Sequence, residues 1–190
     1  MKLIDIYRSV VLFGIENDPR GKESVKKELL RAKNEYDKLS AKDKEFYDKE
    51  RLENPYSDTR ILFGKEDSEI KTILVGVDIE IGELVLADRL KEKGEKIDLV
   101  MAHHPEGLAL AGFFNVMYMQ VDILNKIGVP VNVAESLMHE RIKEVERRVM
   151  PVNHTRAVDA AKLLDINFMN CHTPADNCVA AYIQDLMDKK

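Results

Sequence analysis

The sequence predicts an α/β protein, a three-layer sandwich with a mostly parallel sheet and a helical N-terminal arm. Two observations carry this. The stretch from Thr72 to Ala102 reads as strand, helix, strand, and a βαβ unit closes as a parallel pair with a right-handed crossover. The stretch before it, Asp18 to Glu53, is of another kind: it holds 11 basic and 10 acidic residues among 36, and its apolar positions form only a narrow seam.

The elements follow in order. Leu3, Ile6, Tyr7, Val10, Val11 and Ile15 recur at near-helical spacing, and Asp18-Pro19-Arg20-Gly21 ends that helix. Val25, Leu29, Ala32, Tyr36 and Leu39 alternate between steps of four and three, which predicts a solvated helix near 20–39. Ser40-Ala41-Lys42-Asp43 reads as a capping box with Asp in place of Glu, opening a helix near 41–53 that stops before Pro55. Residues 1–69 are therefore expected to be an arm packed on an α/β domain of residues 70–190.

The apolar run Thr72–Val77 predicts a strand buried on both faces. Glu80–Lys93 is helical, with Glu80 and Glu83 in its first turn, Lys91 and Lys93 in its last and Gly94 at its end. Ile97–Ala102 is a second buried strand. A single helix is expected from Leu108 to Lys126, apolar on nearly every face, so one side should meet the sheet or another subunit. Val129–Val133 reads as a third strand, at an edge because of Pro130. Helices over 135–149 and 155–164, a fourth strand over 166–171 and a last helix over 176–187 complete the reading.

Composition narrows the function. With 45% hydrophobic and 33% charged residues the chain can bury a core. Its net charge of -5 disfavours general nucleic-acid binding. No apolar run approaches the roughly 20 residues of a membrane span, and the N-terminus lacks the pattern of a signal peptide. Two cysteines without an export signal fit reduced thiols, so a cytoplasmic location is expected.

The chemistry gathers at strand ends. His103 and His104 follow the strand 97–102 directly, and Pro105 and Gly107 turn the chain there. Ligands of an open parallel sheet bind beyond the carboxyl ends of its strands. Adjacent histidines diverge, so they suit two ions side by side, or one ligand and one outer donor. Cys171-His172-Thr173-Pro174-Ala175-Asp176 follows another strand and opens a helix, bringing His172 and Asp176 to the same edge. Asp176 in a first helical turn also fits a simple cap. Imidazole with carboxylate suits zinc, iron, nickel or manganese. Asp78 is a further carboxylate at that edge, or a cap. His154, near a helix start, is a candidate to face the same cleft. A catalytic cysteine–histidine dyad, drawing on Cys171 or Cys178 beside the motif, is the less favoured alternative.

The strand ending in Asp78, the Leu-Val-Met-Ala-His103-His104-Pro105 turn and His172-Thr173-Pro174-Ala175-Asp176-Asn177 resemble the Nif-three-like family, named for Ngg-interacting factor three and often labelled type 2 GTP cyclohydrolase I. The resemblance runs through about residues 70–188. It implies a dinuclear metal centre with His103, His104 and Asp176 as ligands, His172 close to the metals, and a homohexamer. The family draws a further histidine and an acidic ligand from a second half that this sequence, ending at Lys190, does not show, so the first part of a longer fold is one expectation. The 68 positions from His104 to His172 point to a divergent subgroup.

The expected function is a metal-dependent hydrolase acting on a nucleotide or other small molecule, with His103, His104 and Asp176 holding divalent transition metal and His172 or His154 moving a proton. The alternative is a non-catalytic metal-binding, delivery or regulatory protein.

Overall fold

The computed structural model describes residues 1–189. Its four-stranded sheet has β1 (Arg60–Phe63), β2 (Ile73–Gly76), β3 (Leu99–Ala102) and β4 (Phe168–Asn170) in the spatial order β1-β4-β3-β2. The β2–β3 and β3–β4 pairs are parallel and β1 runs antiparallel to β4. The mostly parallel sheet of the sequence reading is thus present. Its antiparallel strand lies inside the stretch assigned to the arm.

Helices cover both faces. Between β2 and β3 runs α4 (Ile81–Glu92), whose start is a capping box made by Glu80 and Glu83. With α9 (Arg156–Leu163) it builds one core around Leu84, Ala87, Val100, Ala157, Ala161 and Phe168. On the other face α1 (Leu3–Glu16) lays Leu3, Ile6 and Val10 against Leu99, Met101 and Met169. Alternate strand residues thus feed alternate cores, as the pleat requires. The N-terminal segment is in this way a layer of the sandwich.

The arm contributes α2 (Lys22–Lys38), with Val25 and Ala32 buried, and α3 (Ala41–Phe46), opened by Ser40 accepting the Asp43 N–H. The expected continuous helix to 53 ends at Phe46, and a single 3-10 turn follows at Lys49–Leu52. The last helix, α10 (Thr173–Asp188), packs along α1. At Gly14 the helices come so close that a Cβ would sit 2.7 Å from the Pro174 Cβ and 2.9 Å from the Tyr56 ring. Only glycine lets α1 seat the start of α10.

Three sequence expectations are corrected. The strand at 72–77 is not buried on both faces: β2 is an edge strand, with Ile73, Val75 and Val77 exposed. No strand forms at 129–133: Pro130 is the N-cap of α8 (Val131–Val149), where a missing N–H costs nothing, and the β-branched run simply enters its first turns. The all-round apolar helix at 108–126 is three short helices, α5 (Gly107–Ala111), α6 (Phe113–Val116) and α7 (Met119–Lys126). Gly112 breaks it, and each piece turns a different side inward, so Ala109, Val116 and Val121 are all buried. An apolar surface on every face is resolved here by breaking the helix.

Candidate metal centre

Parallel pairing sets β3 and β4 side by side with their carboxyl ends together. His103 leaves β3, and the Gly76 carbonyl accepts its N–H; the Val77 carbonyl accepts that of His104. His172 leaves β4 one residue after Cys171, whose N–H donates to the Ala102 carbonyl. The rings of His103, His104 and His172 consequently cluster, and each offers a ligating nitrogen within 4.8 Å of the others. Ring centroids lie 4.8 Å apart for His103 and His172, and 5.2 Å for His103 and His104. Phe113 of α6 packs edge-on against His172 at 5.4 Å.

Each Nδ1 of the cluster faces an acceptor-only oxygen: His103 the Cys171 carbonyl at 3.2 Å, His104 the Asp78 carboxylate at 2.6 Å, His172 the Asp58 carboxylate at 2.9 Å. A carbonyl or carboxylate oxygen cannot donate, so every Nδ1 carries the proton. In the neutral rings all three Nε2 atoms then present lone pairs. That is the tautomer a nitrogen ligand needs, held by the outer acceptors usual for metal-bound histidine. The Asp176 carboxylate stands 3.5 Å from Nε2 of His103 and 3.7 Å from Nε2 of His172. A carboxylate facing two lone pairs is repelled unless a proton or a metal ion lies between them. The donor set therefore fits a divalent transition metal.

Asp58 is the deepest part of this arrangement. It is fully buried, and besides His172 it accepts from the Thr173 hydroxyl at 2.6 Å. The neighbouring Thr59 hydroxyl accepts the backbone N–H of His172 at 3.0 Å. Burial by itself lowers the His172 pKa, but the hydrogen bond and charge of Asp58, helped by Asp176, outweigh it and the net shift is upward. The Cys171 thiol is different: burial pushes it up to about 11, which leaves it protonated and unsuited to act as a nucleophile.

Among the sequence candidates, the structure brings His103, His104, His172 and Asp176 together. Asp78 is the outer partner of His104. His154 lies outside the cluster: its Nε2 donates to the Val149 carbonyl at 2.9 Å, and its own carbonyl accepts the Gly107 N–H. It fastens the turn that follows His103-His104-Pro105.

The comparisons bear on what this site belongs to. No family model matches the chain, and no curated protein does. Among solved structures the chain is similar to a NIF3 superfamily protein from Sphaerobacter thermophilus, 30% identical, with a TM-score of 0.58 over 64% of this chain. The fold is NIF3-like. The chain spans 42% of the length of that superfamily protein.

Sequence reading of this NIF3-like chain missed Asp58 and Thr59. No motif marks them, because they belong to the site only through β1. Its antiparallel pairing, Arg60 opposite Asn170, brings the start of β1 to the edge where β4 ends. The one available signal was Tyr56-Ser57-Asp58-Thr59 just ahead of the apolar run Ile61-Leu62-Phe63, a turn feeding a strand.

Proposed function

We propose that this chain binds a divalent transition metal through Nε2 of His103, His104 and His172, with Asp176 as the accompanying carboxylate, and acts as a metal-dependent hydrolase on a nucleotide or another small molecule. The observation that carries the reading is the cluster itself: three histidines that each offer a ring nitrogen within 4.8 Å of the others, every Nδ1 facing an oxygen acceptor. A bound ion would supply Lewis acidity and lower the pKa of a coordinated water. The chain's own work is orientation. Asp58 locks His172 and Asp78 holds His104. By family resemblance the complete centre has two ions and the assembly is a homohexamer.

Protein purified without chelators should carry zinc, iron, nickel or manganese by elemental analysis, and the His103→Ala/His104→Ala double variant should bind at least tenfold more weakly, ~1.4 kcal/mol or more. Equal metal content in both proteins overturns the proposal. The raised pKa of His172 favours a second assignment, in which it stays outside the metal shell and moves a proton. His172→Ala separates the two: a ligand role removes metal, whereas a proton-transfer role keeps metal and loses turnover. Metal-loaded protein inert toward a panel of nucleotides would favour the non-catalytic reading.

A further inference from the structure

We propose that the cleft between α2 and α8 is a second small-molecule site, one that takes a zwitterion with an apolar body: a free amino acid or a dipeptide. Its volume is about 610 Å³, in the range of small-ligand pockets, and it shares no residue with the histidine cluster. The two walls have different neighbours. α2 packs on α1 and on the 3-10 turn at Lys49–Leu52, whereas α8 packs on α6 and α7. The gap between them is therefore built into the fold.

The floor of the cleft is buried. Val121 of α7 and Ile142 of α8 give it apolar surface. The Arg20 guanidinium, its side chain 3% exposed, gives it a fixed charge. That charge is already matched: Arg20 holds Asp18 through Nε and Nη2, and Glu28 through Nη1. Asp122 stands 3.8 Å from Nη1, beyond hydrogen-bond distance, so its carboxylate is still open to a donor.

Above this floor the unmatched charges come in equal number and opposite sign. Lys27 and Arg31, one turn apart on α2, both line the cleft, and neither makes an ion pair among the described residues. On the other side Glu135 of α8 makes none either, and Asp122 of α7 has only the distant Arg20. A plain anion would meet the two carboxylates, and a plain cation the two bases. A molecule carrying both charges satisfies both walls at once. The planar fork of Arg31 suits a carboxylate, which it can hold through two parallel bonds. The three N–H donors of an ammonium suit Asp122 and Glu135. The ligand's apolar side chain then has Val121 and Ile142 beneath it and the Tyr118 ring, 53% exposed at the rim, beside it. A cleft of similar size along α1 serves as the control: its half-buried carboxylate, Glu50, is already met by Arg60 and by the Tyr7 hydroxyl.

Isothermal titration with leucyl-phenylalanine or L-phenylalanine should show saturable binding. It should be at least tenfold tighter than that of phenylpropionate, which lacks the ammonium, or phenylethylamine, which lacks the carboxylate. Arg31→Ala and Glu135→Gln should each weaken it at least tenfold, with circular dichroism and cooperative melting unchanged because both residues are exposed. Arg8→Ala, in the control cleft, should leave it unchanged. Absence of saturable binding by both zwitterions overturns the proposal. Equal binding of phenylpropionate would make the cleft an anion site and equal binding of phenylethylamine a cation site, and either result overturns it too. So does an affinity indifferent to Arg31→Ala and Glu135→Gln, or one lost on Arg8→Ala. All titrations contain chelator, so the outcome is independent of the metal reading.

Discussion

Two buried aspartates sit at opposite ends of the same kind of problem. Asp18, after α1, is met by a committed cation: the Arg20 guanidinium bonds it at 2.9 and 3.0 Å, and Tyr56 donates its hydroxyl at 2.9 Å. Arg20 also reaches Glu28 of α2 at 2.5 Å. Tyr56 in turn accepts from Asn177 of α10, so the network closes on itself and joins arm, sheet edge and last helix. Burial of the Arg20 guanidinium is outweighed by these carboxylates, which raise its pKa further. Asp58 has no such cation. Its partners are the His172 ring and the Thr173 hydroxyl, with the Thr59 hydroxyl farther off at 3.4 Å, and the ring belongs to the histidine cluster. The same residue type is a clamp where its counter-charge is built in, and a polarising group where its counter-charge is left to a proton or a metal.

The largest effect tests the clamp. Arg20→Ala leaves Asp18 buried without its cation and should cost about 3–5 kcal/mol in chemical denaturation, with metal affinity per folded molecule unchanged. A loss below about 1 kcal/mol would put Asp18 with the open kind of site. Next, Asp58→Ala should lower metal affinity about 10–100-fold by freeing His172, and cost about 1–3 kcal/mol through the orphaned Thr173 and His172 donors. Asp58→Asn, which keeps an acceptor, should recover most of both. If Asp58→Ala costs stability and leaves isothermal-titration affinity intact, Asp58 is a second clamp and the contrast fails.

A third aspartate sharpens the scale. Asp98 lies near the surface, and the Lys71 and Thr72 N–H groups donate to it at 2.8 and 2.9 Å; those bonds lower its pKa. A depressed carboxyl stabilises the fold above its unfolded pKa and stops doing so as pH falls through the folded value. Wild type should therefore lose slightly more stability than Asp98→Ala on acidification below about pH 4, by about 1 kcal/mol or less given solvent screening. A stability gap between wild type and Asp98→Ala that instead widened on acidification would overturn this assignment. The smallest effect is expected from His154→Ala, whose metal affinity should stay within about twofold of wild type, because its ring is spent on the Val149 carbonyl. A tenfold loss by the same titration would move His154 into the site.

The sequence by itself determined the βαβ unit, the short strands at 99–102 and 168–170 within its wider estimates, and the placement of His103, His104, His172 and Asp176 at one edge. Those follow from local patterns: apolar runs make buried strands, Pro and Gly turn the chain after them, and parallel strands deliver their ends to one side. Tertiary structure decided the rest. Whether Ile73 and Val75 are buried depends on how many strands lie beyond β2, which no window of sequence holds. Whether Val131 and Val133 extend or coil depends on whether an edge is available to pair with them, and here a proline-capped helix wins. Asp58 reaches His172 across 114 positions because an antiparallel strand turns its start toward β4's end, a long-range pairing without a local signal. Ligand types were legible because chemistry is written in single residues; the tautomer that makes them ligands was not, because it is set by oxygens contributed from other strands and turns.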